Sequence, residues 1–340
     1  MATATTIPSS KLSMDSTIKL RSGIEMPLFG LGTWLSEGTG ECLKACTAAL
    51  EFGYNLIDTA TMYENEHDVG AALAASPRGK EIFVVTKLKG ADHGREKALA
   101  AIDTSIAKLQ RKPDLWLMHN PDGGSVIETW KAMLEAKAAG KVRAVGVSNF
   151  GVKQLQALKA AGLEVPEVNQ IELHCWLQQR PTVEYCRAEG IVVMSYCPLA
   201  RCKTFGETDL AKHAAAWGKT EAQCALRWLL QRGFITIPKS SNAERVKQNA
   251  VFDFELTECA HRTRVPAATD PTPVPSSARP TRLLLTAQGA DGSDGRARPG
   301  LQSLQKRQQH GPAVGGGHVS GRLRQLGTMQ QRPAGAAVRA

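Results

Sequence analysis

Aromatic residues are scarce in this 340-residue chain, 5% overall, and from Glu258 to Ala340 there is none. That segment carries 8 prolines and 11 glycines, and 11 of its 12 basic residues are arginine. Such a composition buries too little apolar surface to offset the entropy of ordering, so residues 258–340 are expected to be a disordered tail, or a gene-model artefact from translation of a GC-rich message in another frame. The first fourteen residues, MATATTIPSSKLSM, lack the apolar core of a secretory leader and hold a single lysine; residues 1–15 are read as a flexible N-terminus. The eight cysteines show no zinc-ligand spacing, which argues against a metal site and for reduced thiols in the cytoplasm. His174 beside Cys175 lacks a third and fourth ligand and is read as a pocket or core residue. The body is nearly without net charge. The tail takes 12 of 42 basic and 4 of 32 acidic residues, leaving 30 and 28, a net +2. That excludes a nucleic-acid or membrane surface on the body and leaves a small molecule as partner and a monomer as the expected state. The dinucleotide fingerprint G-x-G-x-x-G is also missing: Gly30 and Gly32 are followed by Thr33, Trp34 and Leu35, with no third glycine.

Eight short apolar runs recur along the chain, at 27–33, 55–58, 82–87, 114–119, 142–148, 167–173, 191–196 and 234–239. Amphipathic stretches separate them at 40–53, 94–110, 125–139, 151–161, 178–189, 220–232 and 242–250. In the first of these, Leu43, Cys46, Ala49 and Leu50 are expected to share one face. Eight strands with helical crossovers predict an α/β chain folded as a (β/α)8 TIM barrel over residues 16–257. A hairpin over TIKL and EMP, turning at Arg21, Ser22 and Gly23, is expected to cap its bottom.

Four polar residues fall at or just past the ends of three of these runs: Asp58, Tyr63, Lys87 and His119. In a parallel barrel, residues leaving the strand ends converge on the face that carries chemistry. Adding hydride to a carbonyl carbon leaves negative charge on oxygen, and a proton must reach that oxygen. Tyr63 can deliver it, with the Lys87 ammonium expected to lower the phenol pKa. Asp58 holds Lys87, and His119 fixes the carbonyl. The plainer reading is a buried Asp/Lys pair with an incidental Tyr and His.

GYNLIDTATMYENEHDVG (53–70), residues 133–150 ending KVRAVGVSNF, and IPKSSNAERVKQN (237–249) resemble, in order, the three signatures of the aldo-keto reductase superfamily. The resemblance covers residues 16–257. It implies an NADPH-dependent aldehyde or ketone reductase with Asp58, Tyr63, Lys87 and His119 as catalytic tetrad. NADPH/NADP+ contacts are implied at Thr33, Trp34, Asp58, Ser148, Asn149, Gln170, Tyr196, Pro198, Leu199, Lys239, Ser240, Arg245, Gln248 and Asn249. In that scheme Ser148, Asn149 and Gln170 hold the nicotinamide carboxamide, Tyr196 stacks on its ring, and Lys239, Ser240 and Arg245 gather round the 2'-phosphate. Trp34, Tyr63, His119 and Asn120 line the substrate pocket. Asn55 stands where the first signature commonly has arginine. Asn120 stands where many members carry tryptophan; it either suits hydroxylated substrates or is a solvated loop residue. Two rival readings stay open: a cofactor-sensing regulatory barrel like the potassium-channel β subunits of the superfamily, and a polyanion-binding role for the basic tail.

Overall fold

The computed structural model describes residues 12–36, 40–206 and 209–256; the expectations for residues 1–11 and for the tail from 257 onward lie outside the described residues. Strands β1 (Thr17–Lys19) and β2 (Glu25–Pro27) pair antiparallel with Ile18 opposite Met26. Gly23 at φ 87 turns the hairpin in the left-handed region that glycine tolerates. Eight parallel strands follow: β3 (Leu31–Gly32), β4 (Leu56–Asp58), β5 (Phe83–Leu88), β6 (Leu115–Met118), β7 (Ala144–Ser148), β8 (Val168–Glu172), β9 (Val192–Tyr196) and β10 (Ile235–Thr236). They lie side by side in chain order. Parallel bridges Phe29 to Thr236 and Gly32 to Lys239 join the first strand to the last. The Gly30 N–H donates to Thr236 O at 3.1 Å and the Thr236 N–H to Leu28 O at 2.8 Å, which closes the sheet into the expected barrel. Gly30 is required there: a Cβ on it would lie 2.1 Å from Leu56 Cδ2 and 2.7 Å from Leu56 O.

Helices α1 (Glu41–Glu51), α2 (Glu66–Ala75), α3 (Arg95–Leu109), α4 (Val126–Ala138), α5 (Val152–Ala160), α6 (Arg180–Ala188), α7 (Asp209–Ala216), α8 (Glu221–Gln231) and α9 (Ala243–Asn249) form the outer layer. Every residue of β5 and β6 is buried. Parallel strands are covered on both faces, so their sequences run apolar without alternation. The buried face of α1 is Cys42, Ala45, Cys46, Ala49 and Leu50; Leu43, expected on it, is only partly buried and packs at its edge. Thr220 opens α8 with a reciprocal capping box to Gln223. Helix α7 is absent from the periodicity reading. Asn55 occupies its position through hydrogen bonds to Met14 O, Asp15 Oδ1 and the Arg78 guanidinium, and Leu12 is buried, so residues 12–15 are pinned to the barrel rather than flexible. Among the described residues no helix is long and apolar enough to cross a membrane.

Candidate active site

The register of the barrel sets the chemistry at one end. Asp58 ends β4, Lys87 stands next to last in β5, and His119 follows the last residue of β6. Tyr63 arrives on a single helical turn, Thr61–Tyr63, directly after β4. The turn is held by the Thr61 hydroxyl, which donates to Lys87 O at 2.9 Å. Lys87 and Asp58 point inward and are 0% and 2% exposed, so neither charge can be left to solvent.

The Lys87 Nζ donates to Asp58 Oδ1 at 2.5 Å, to Thr59 O at 2.9 Å and to the Tyr63 hydroxyl at 3.2 Å. Three donors meet three acceptors, so the ammonium is fully satisfied. The other Asp58 oxygen accepts from Gln170 Nε2 at 2.7 Å. The rings of Tyr63 and His119 stand edge to face, 5.6 Å apart at 77°. Burial pushes Asp58 up and Lys87 down, and in each case the ion pair with the other opposes the shift. The two charges are therefore retained together. Burial, followed by the repulsion of Lys87, pushes His119 down to about 3, so its imidazole is neutral at ordinary pH. Tyr63 departs from expectation. Burial, then the field of Asp58, holds its phenol well above the usual value, and Lys87 does not bring it down.

The neighbouring strand ends form a second network. Asn149, at φ 62 just past β7, donates from Nδ2 to His119 O at 2.9 Å and to Ser148 Oγ at 3.1 Å, and accepts from the Tyr196 hydroxyl at 2.8 Å. Ser148 Oγ donates to Gln170 O at 2.8 Å. Both N–H bonds of Gln170 are engaged, by Asp58 and by Met194 Sδ, while its amide oxygen accepts no hydrogen bond among the described residues. Thr33 donates its hydroxyl to Asp58 O at 2.9 Å and is tied by its carbonyl to Asn65.

On the far side, Lys239 and Ser240 follow β10. Lys239 pairs with Glu41 at 3.2 Å, both about one-third exposed, and the Arg245 guanidinium on α9 has no ion-pair partner among the described residues. These cations suit an anionic group. Gln248 and Asn249 lie at the end of the same helix, and Gln248 offers its carbonyl to Gln223. Pro198 and Leu199 lie on the segment leaving β9, in which Cys197, Ala200, Arg201 and Cys202 all adopt left-handed φ between 48 and 58. Arg201 places its guanidinium 5.0 Å from the Trp34 ring centroid. Asn120 is half-buried, with its Oδ1 out of solvent and without a hydrogen-bond partner among the described residues, near Gly90. His174 packs on Trp176 and lies 3.5 Å from Glu172. Among the described residues no cluster could hold a metal.

Thus the tetrad residues, Thr33, Ser148, Asn149, Gln170 and Tyr196 are joined at one mouth. Lys239, Ser240, Arg245, Gln248 and Asn249 gather at the end of β10 and on α9. The sequence reading overlooked the Thr59 carbonyl and Arg201 over Trp34; Glu66 stands in register with the first signature, but no role was read for it.

Residues 29–263 match the family model described as Aldo/keto reductase family. The chain is 39% identical over 249 residues to the glyoxal reductase of Bacillus subtilis (strain 168), covering 72% of this chain and 90% of that protein. An aldo-keto reductase enzyme from a Medee basin deep-sea metagenome library superposes with TM-score 0.70 at 41% identity, over 72% of this chain and 92% of that one. The Bombyx mori aldo-keto reductase in complex with NADP superposes with TM-score 0.67 at 34% identity, over 72% and 90%. With eight parallel strands closed on themselves, the matched span and these relatives in agreement, the chain belongs to the aldo/keto reductase family.

Proposed function

We propose that this enzyme reduces aldehydes and ketones to alcohols with NADPH, Tyr63 serving as proton donor. The observation that carries the reading is the Lys87 ammonium, within hydrogen-bond reach of Asp58 and Tyr63 at once and wholly removed from water. The residues present fit the cofactor. Gln170 offers an amide oxygen and Tyr196 a ring face at one end, and Lys239, Ser240 and Arg245 supply two cations and a hydroxyl at the other. When bound, NADPH supplies the hydride.

Tyr63 keeps its proton at neutral pH, because burial and Asp58 hold the phenol well up. The oxygen of a carbonyl gaining hydride becomes an alkoxide, a far stronger base than a phenolate, so the proton passes from Tyr63 to it as that charge develops. The phenolate left behind sits 3.2 Å from Lys87, which stabilises it in a dry site where the interaction is strong. Asp58 keeps Lys87 charged and aimed. His119, neutral, retains one N–H to donate to the carbonyl oxygen and so sets its angle.

A carbonyl panel followed by NADPH absorbance tests this, with glyoxal included because a relative carries that name. Tyr63→Phe is expected to lower kcat/KM by about 10²–10⁴-fold with NADPH affinity unchanged by fluorescence titration. Full turnover in that variant would remove Tyr63 from its role. NADPH binding by the wild type with no turnover on any carbonyl would favour a cofactor-sensing barrel instead.

A further inference from the structure

Glu66 is a second buried carboxylate close behind the active site. It sits at the start of α2, three residues past Tyr63, and is 0% exposed. Its Oε1 accepts from the Thr86 hydroxyl at 2.6 Å, and Thr86 is the β5 residue next to Lys87. Successive side chains on a strand point to opposite faces, so Lys87 enters the barrel while Thr86 meets α2 in the outer layer. The other Glu66 oxygen is buried with no hydrogen-bond partner among the described residues. A carboxyl oxygen so placed is costly unless a cation's field compensates it, and the cation that β5 carries is Lys87, the residue after Thr86.

We infer that Glu66 is a positioning residue of the reaction: from the layer behind β5 its negative charge keeps Lys87 protonated. This rests on the reading of Lys87 as the ammonium that stabilises the Tyr63 phenolate. Burial draws the Lys87 pKa down; Asp58 opposes that most strongly, and Glu66 acts in the same direction. Asp58 from β4 and Tyr63 from the turn after it bond Lys87, His119 at the end of β6 lies within its field, and Glu66 on α2 acts on it from behind the strand. Helix α3 presents only the uncharged Ser105, against Thr61. Helix α1 presents the thiols Cys42 and Cys46, the first against Asn65 O and the second facing Asp68, and Asp68 is paired with His67. Among the described residues, the carboxylates that act on Lys87 are Asp58 and Glu66.

The sign follows directly. Removing the Glu66 charge lowers the Lys87 pKa, so the ammonium is lost at lower pH and the alkaline limb of kcat/KM moves down. Two variants separate charge from packing. Glu66→Gln keeps an oxygen for the Thr86 hydroxyl and removes the charge; Thr86→Val keeps the charge and removes the hydrogen bond. In wild-type enzyme showing NADPH-dependent reduction, Glu66→Gln is expected to move the alkaline limb down by about half a pH unit or more, and Thr86→Val to leave it in place while lowering Tm. A Glu66→Gln profile superimposed on the wild type, or an equal shift in Thr86→Val, would overturn the assignment. Absence of reduction in the wild type would instead defeat the functional reading on which it rests.

Discussion

Replacing Lys87 by methionine turns the buried pair into a test of what it contributes. The substitution removes contacts at 2.5, 2.9 and 3.2 Å and leaves Asp58, 2% exposed, with Gln170 as its remaining side-chain partner. Breaking a buried pair by removing one member costs about 3–5 kcal/mol, because the survivor is an uncompensated charge. For a domain of this size that corresponds to a Tm lowered by roughly 6–20 °C. The penalty depends on pH. Burial already raises the folded pKa of Asp58 and the ion pair opposes it, so in Lys87→Met it climbs further. A carboxyl whose folded pKa exceeds its unfolded value contributes its stability fully below the unfolded pKa, near about 4, and loses it as pH rises through the folded one. The variant should therefore lie closest to wild type near pH 4.5 and fall furthest behind at pH 8. Adding Asp58→Asn should recover most of the loss, since an uncharged pair leaves nothing to desolvate. Urea denaturation of the three proteins at both pH values measures this. Equal destabilisation at the two pH values, or a double variant no better than the single, would refute the reasoning.

Lys239→Ala combined with Arg245→Ala should weaken NADPH by roughly 10–100-fold, the worth of one or two charge-assisted hydrogen bonds, and NADH far less; isothermal titration with both cofactors checks it, and equal losses would remove these residues from a 2'-phosphate site. Gly30→Ala drives a methyl to within 2.1 Å of Leu56 Cδ2 and should cost about 1–3 kcal/mol, read as a lower urea midpoint; a wild-type midpoint would mean that the β3 edge gives way freely.

Much of the barrel was legible because parallel strands carry dense apolar signals: IFVVTK and DLWLMH could not be surface. The strand ends were legible for the same reason, since Asp58, Lys87 and His119 stand where those runs stop. Helix α7, DLAKHAAA, was not read, because its single buried residue, Ala214, leaves no apolar face to detect. On α1 the face was read through Leu43, which is only partly buried, while Cys42 and Ala45 complete the buried side. The direction of the Tyr63 shift was missed because burial dominates it, with the field of Asp58 adding in the same sense, and burial depends on packing that no spacing conveys. Thr59 contributes through its carbonyl, which any residue would supply.

The seam between β3 and β10 sets a condition on how the molecule can be made. Gly30 and Thr236 are about 200 residues apart in the chain, and non-local pairing of this kind is slow to find. On the ribosome, the N-terminal strand must wait for nearly the whole catalytic domain to be synthesised before its partner exists. Until then two edges stay open, each able to zip onto a foreign strand. The yield of this enzyme in a cell is thereby tied to the last few hydrogen bonds to form.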